Sequence, residues 1–230
     1  MLPVCLSGWK STPGEDAVPD TPENRAAYRS MLYKTAGLSE YISGVILHWE
    51  TLFQSDADGK KMVDLITGNG MIPGIKLDKG YDKSGIAGTA IGPLGHAETW
   101  DKGIDDLEKR CTDAYNQGAR FAKWRNVLQI DPDSGLPSDL AITLSSHNLA
   151  QYATICQRAG LVPIVEPEIV PNGKHSIEVC ATVTEKVLVA QFAALKMHGV
   201  YLEGAVLKPN MVKNGLEGPK ATTEQIATLT

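Results

Sequence analysis

Residues 160–168 read Gly-Leu-Val-Pro-Ile-Val-Glu-Pro-Glu. A glycine closes a helical pattern, an apolar strand follows, and two carboxylates sit at its far end. Glycine suits the left-handed residue that ends a helix, because it has no Cβ to clash there. The same phrase occurs at four other places. Helical patterns end at Gly37, Gly70, Gly118 and Gly199, and apolar stretches follow at Gly44–Leu47, Ile72–Asp78, Ala119–Arg125 and Tyr201–Lys208. The first helix is announced by Thr21 as its cap and Pro22 at its first position, a favoured start. Short apolar strands alternating with amphipathic helices predict βαβ units and a parallel sheet with right-handed crossovers. No linker or low-complexity run interrupts this rhythm, so residues 21–230 are expected to form one domain, after an irregular segment at 1–20. Gly80–Gly95 is glycine-rich without a phosphate-loop lysine or a dinucleotide fingerprint, and is expected to be a flexible active-site loop rather than a nucleotide site. Met31, Tyr33 and Phe192 fit helix faces and are expected in the core.

The strands carry ionisable residues towards their C-terminal ends: Glu50, then Lys76 and Asp78, Lys123 and Arg125, Glu166 and Glu168, and Lys208. In a parallel barrel all those ends open on one face, where active sites are built. Side chains two apart on a strand share a face, so each pair can point the same way. A lysine inside an apolar strand is costly unless it is paired or used in chemistry. Lys208, in Ala-Val-Leu-Lys-Pro-Asn, is a candidate amine nucleophile, activated by desolvation and by a neighbouring cation such as Lys123. A free amine adds to a ketone and loses water, giving an iminium that draws electrons from the adjacent carbon–carbon bond. Glu166, a carboxyl among apolar residues, suits the proton transfers this requires. Lys76, Arg125 and Arg25 are candidates to hold anionic substrate groups.

Composition agrees with a globular protein. The chain has 230 residues, 43% hydrophobic and 21% charged, with a net charge of −5 and no basic run, which gives no reason to expect nucleic acid or an anionic membrane as partner. Four scattered cysteines, Cys5, Cys111, Cys156 and Cys180, read as reduced intracellular thiols. No apolar run reaches the roughly 20 residues of a membrane span, and the opening stretch lacks the basic start of a signal peptide. His48, His96, His147, His175 and His198 show no metal-ligand spacing, which disfavours a metal-dependent reaction.

Several motifs resemble those of the class I (Schiff-base) fructose-bisphosphate aldolases. They are TPENRAAYR (21–29), GVILHWETLFQ (44–54), GIKLDKG (74–80), FAKWR (121–125), VPIVEPEI (162–169) and YLEGAVLKPN (201–210). The resemblance implies an α/β fold, a TIM (β/α)8 barrel, incomplete here with about five parallel strands and lacking the first and the last two. It implies reversible cleavage of fructose 1,6-bisphosphate to dihydroxyacetone phosphate and glyceraldehyde 3-phosphate, a glycolytic and gluconeogenic reaction, with no metal or other cofactor. In the roles it implies, Lys208 forms the Schiff base, Glu166 is the acid and base, and Lys123 lies beside the nascent imine. Arg25, Lys76, Arg125 and Glu168 bind substrate, while Asp78 and Glu203 are structural. A homotetramer in the cytoplasm is expected, with the plastid as the alternative compartment. The competing reading is a catalytically inactive, truncated aldolase-like binding or scaffold protein.

Overall fold

The computed structural model describes residues 2–3, 18–82 and 84–230, so most of the expected irregular segment at 1–20 lies outside the described residues. The chain divides into two compact units.

The first unit comprises Met1–Leu77, Lys109–Lys123 and Ala159–Leu161. Strand β1 (Leu2–Pro3) pairs parallel with β2 (Gly44–Leu47), β2 pairs parallel with β3 (Ile72–Lys76), and β3 pairs parallel with the first residues of β4 (Phe121–Leu128). Helix α1 (Pro22–Tyr33) begins as its sequence dictates: the Thr21 hydroxyl accepts from Asn24 N at 3.2 Å, and Pro22 occupies the first turn. It stops at Tyr33, four residues before the expected Gly37, because the Thr35 hydroxyl bonds back to Met31 O and Thr35 N closes a tighter turn on Leu32 O. The short α2 (Trp49–Leu52) leads to α3 (Met62–Gly68), which buries Met62, Val63, Leu65 and Ile66. Helix α4 (Leu107–Asn116) precedes Gly118. A Cβ at Gly74 would fall 2.2 Å from the Phe121 ring, so the bare strand backbone is what lets that ring lie flat on β3.

The second unit comprises Asp78–Glu108, Trp124–Arg158 and Val162–Thr230. Helices α5 (Asp139–Arg158) and α6 (Ile177–Met197) flank strand β5 (Val162–Ile169), which pairs parallel with β6 (Val206–Leu207). Val170 N donates to Leu128 O at 2.9 Å. Leu128, Ile142, Ile169, Ile177 and Val187 form the buried centre of this unit. His147 on α5 and His198 at the end of α6 meet with ring nitrogens 3.0 Å apart. A last helix, α7 (Thr223–Leu229), opens with a reciprocal capping box between Thr222 and Gln225.

All five closing glycines have positive φ: Gly37 +74°, Gly70 +77°, Gly118 +110°, Gly160 +80° and Gly199 +68°. The last strand is shorter than Tyr201–Lys208. The Gln157 amide donates to Tyr201 O at 2.7 Å and Gly204 O at 3.2 Å, and its oxygen accepts from Tyr201 N at 3.0 Å. Those bonds occupy groups a ladder would use, and Leu202–Gly204 forms a 3₁₀ turn instead. Two expected core residues are on the surface: Met31 is 56% exposed and Phe192 44%, while Tyr33 is buried. The buried stripe of α1 runs through Arg29, Ser30 and Tyr33, and that of α6 through Val187, Gln191, Ala194 and Leu195, so positions 31 and 192 fall outside both.

The glycine-rich stretch is no featureless loop. Residues 79–102 fold back as an irregular antiparallel ribbon, bonded from Lys102 N to Gly80 O, Asp82 N to Trp100 O and Gly92 N to His96 O. It is anchored by Glu98, 3% exposed, whose carboxylate accepts from Ser138 N at 2.8 Å and Ser138 Oγ at 2.5 Å just ahead of α5. Gln129 clasps its tip from Leu94 N to His96 O.

Candidate active site

In the second unit, β5 and the turn after β6 set an amine against a carboxylate. Lys208 N continues the β6 ladder by donating to Val165 O at 2.9 Å, and Asn210 Oδ1 accepts from Ile169 N at 3.2 Å. The Lys-Pro-Asn turn is thus bonded to β5 on both sides of the lysine. The Lys208 ammonium nitrogen reaches Glu166 Oε1 at 2.5 Å, the short separation of a charge-assisted hydrogen bond. The carboxyl side chain is 5% exposed and the lysine 43%. The amine is half-exposed, so its desolvation is only partial, and the acid it meets is buried.

Glu168, two residues on and on the same face of β5, binds Arg125 instead, 2.8 Å from carboxylate oxygen to guanidinium. Both side chains are partly open, the arginine 40% and the glutamate 27% exposed.

A second set of charges lies in the first unit. Lys76 and Lys123 are direct partners in the parallel β3–β4 register, so the two half-buried lysines share one sheet face. At the start of α2, Glu50 takes two hydrogen bonds from Arg25, 2.6 and 3.0 Å, and a third from Arg29 at 2.8 Å. Arg25 also pairs with Asp20. Hydrogen bonds from Arg25, then from Arg29, hold the Glu50 carboxyl down to about 2 from its usual 4.5, against an opposing push from burial. Arg29, 3% exposed, was not singled out in the sequence. The available signal was its spacing, since residues four apart on a helix lie on one face and Arg25 and Arg29 reach the same carboxylate.

The structure thus brings together Lys208 with Glu166, Arg125 with Glu168, and Lys76 with Lys123, while Arg25 is engaged by Glu50 and Asp20. Among the described residues no group of three or more His, Cys, Asp and Glu is placed to hold a metal ion, and no helix is long and apolar enough to cross a membrane.

The fold has a close counterpart. A solved fructose-bisphosphate aldolase from Plasmodium falciparum, in ternary complex with TRAP and a small-molecule inhibitor, matches with a TM-score of 0.88 and 51% identity, covering 93% of this chain and 59% of that one. The architecture is α/β, as the strand rhythm predicted, and of the (β/α)8-barrel type, incomplete in this chain, as the motif resemblance implied. The model of the class I fructose-bisphosphate aldolases matches residues 16–230, and the chain belongs to that family. Among curated relatives, fructose-bisphosphate aldolase 1 of Toxoplasma gondii is 54% identical over 91% of this chain and 56% of its own length. The cytoplasmic isozyme of Spinacia oleracea is 50% identical over 93% of this chain and 57% of its own. The chain therefore spans somewhat more than half the length of the curated relatives it matches.

Proposed function

We propose that this chain carries the Schiff-base half-site of a metal-independent aldolase that cleaves fructose 1,6-bisphosphate reversibly into dihydroxyacetone phosphate and glyceraldehyde 3-phosphate. The observation that carries the reading is the pairing of an accessible amine, Lys208, with a buried carboxylate, Glu166, at 2.5 Å. An amine must be free of its extra proton to attack, and the carboxylate is positioned to take it. The neutral nitrogen then bonds to C2 of the ketose, and the carbonyl oxygen leaves as water after protonation, for which Glu166 is again within reach. The resulting iminium accepts the electron pair of the C3–C4 bond as the C4 hydroxyl loses its proton and becomes the aldehyde. Protonation at C3 and hydrolysis of the imine release dihydroxyacetone phosphate and restore the lysine.

Lys123 is assigned a place beside the forming imine. Lys76, Arg125 and Arg25 are assigned to the anionic groups of the substrate, with Glu168 fixing the guanidinium of Arg125. Residues 21–230 act as one catalytic barrel domain in this reading. The protein works in the cytoplasm as a homotetramer, in keeping with relatives described as cytoplasmic or cytosolic in Spinacia oleracea and Arabidopsis thaliana.

The test is borohydride reduction in the presence of dihydroxyacetone phosphate, followed by peptide mapping. A reduced adduct on Lys208, absent without borohydride and unaffected by a chelator, supports the mechanism. A folded chain that gives no adduct overturns it and leaves a binding protein built on the aldolase fold.

A further inference from the structure

We propose that His48 is a further substrate-binding residue, donating a hydrogen bond to the same anionic group as Lys76 and taking up a proton as that group binds. Naming that group a sugar phosphate rests on the aldolase reading; what the residues recognise is a tetrahedral dianion. His48 lies in the first unit directly after β2, and its backbone stays extended, with φ −80° and ψ 154°. The β2–β3 register pairs Leu47 with Ile75, so the next position along sets His48 against Lys76. Lys76 in turn pairs with Lys123 on β4. Three basic residues therefore stand in one row across three neighbouring strands, each strand about 4.8 Å from the next.

Contacts below the row fix the face it occupies. The Phe121 ring lies against β3 and β2, since a Cβ at Gly74 would fall 2.2 Å from it and one at Gly44 2.9 Å. Side chains two apart on a strand share a face, so Lys123 follows Phe121, Lys76 follows Gly74 and His48 follows Gly44 and Ile46 on that same face. His48 is exposed, so a ligand can reach it. Its side chain does not cap α2, and its ring makes no hydrogen bond with the described residues.

The charges acting on the ring come from three elements: Arg25 and Arg29 on α1, Glu50 on α2 and Lys76 on β3. Partial desolvation first, then Arg29 and Lys76, push the imidazole below its usual value, with Glu50 opposing. The ring is thus a neutral donor at pH 7. A bound dianion reverses that balance, because its charge favours the imidazolium and turns a neutral hydrogen bond into a charge-assisted one. Lys76 and the protonated ring then meet two negative charges, which a phosphate or sulfate supplies and a monocarboxylate does not. Glu50, held at about 2 by Arg25 and Arg29, stays ionised throughout. Proton uptake on binding fixes the sign: affinity rises as pH falls through the bound-state value of His48 and levels off below its free-state value.

Sulfate keeps both its charges between pH 5.5 and 8, so it isolates the titration of the protein. Calorimetry of the full chain at constant ionic strength should show sulfate binding about fivefold to tenfold tighter at pH 5.5 than at pH 8, the gain from charging one hydrogen bond. Acetate should bind at least about fivefold more weakly, and dihydroxyacetone phosphate should compete with sulfate. His48→Gln still donates but cannot titrate; it should match wild type at pH 8 and lose most of the gain at pH 5.5. Lys76→Met should weaken sulfate binding at both pH values. Borohydride trapping on Lys208 is read separately. An adduct without pH-dependent sulfate binding overturns the assignment of His48 alone, whereas the sulfate signature without an adduct overturns the aldolase reading and leaves a dianion site. A gain undiminished in His48→Gln, binding indifferent to Lys76→Met, no competition by dihydroxyacetone phosphate, or no saturable heat at either pH would overturn the proposal.

Discussion

Replacing Glu50 by glutamine tests whether the arginine clamp at α2 is structural. Glu50 accepts three hydrogen bonds, two from Arg25 and one from Arg29. The carboxylate is 28% exposed but Arg29 only 3%. Breaking a fully buried pair from one side costs about 3–5 kcal/mol, because a charge is left uncompensated. A solvent-exposed pair is worth about 0–1 kcal/mol. With one cation buried and the anion a quarter open, Glu50→Gln should cost about 2 kcal/mol. In urea unfolding this moves the midpoint down by about 1 M at a slope near 2 kcal/mol/M. The effect has a pH signature. The Glu50 carboxyl titrates at about 2 in the folded protein against an ordinary 4.5, so its contribution is fully present above 4.5. It is lost as pH falls from 4.5 towards 2. Wild type and variant should therefore differ by a constant amount between pH 5 and 8 and converge in acid. Equal midpoints at pH 7, or a gap that widens on acidification, would refute the reasoning.

Three further outcomes follow from the geometry. Glu166→Gln should slow borohydride trapping on Lys208 by about 10²–10⁴-fold with the fold intact by circular dichroism, because a positioned acid–base group supplies that much rate. Gly118→Ala should cost more than Gly59→Ala: both have positive φ, but a Cβ at Gly118 lands 2.7 Å from Val63 Cγ1 and one at Gly59 meets nothing within 4 Å. The expected difference in unfolding free energy is about 1–3 kcal/mol, the usual cost of overpacking. Glu98→Ala leaves both Ser138 donors without their partner at a part-buried site and should cost about 1–2 kcal/mol, with faster proteolysis within residues 79–102.

Much of this architecture was legible because it is written in local backbone chemistry. A residue that must take positive φ has few choices, so Gly70, Gly118, Gly160 and Gly199 mark helix ends whatever surrounds them. Strand ends were legible for a related reason, since charge in an apolar run needs a partner or a task. What stayed hidden depends on side chains distant in sequence. Gln157 lies 44 residues from Tyr201, yet its amide decides that the stretch before β6 turns instead of extending. Glu98 and Gln129 fix the glycine-rich ribbon from positions 40 and 35 residues away from their partners. Glycine content alone spoke for flexibility there, and these bonds reverse that expectation.

The two glutamates of β5 show where pattern stops and geometry begins. Period two puts Glu166 and Glu168 on one face, and nothing in Val-Glu-Pro-Glu distinguishes them. Burial and partner do. Glu166, 5% exposed, meets a lysine whose own surface is open, so its proton can pass to a group that substrate can reach. Glu168, more than five times as exposed, meets Arg125, a guanidinium that stays charged at any working pH and has no proton to give. In the proposed mechanism the partner's ability to release a proton assigns the roles on this strand: the amine-facing acid is the one to act, and the guanidinium-facing acid the one to orient.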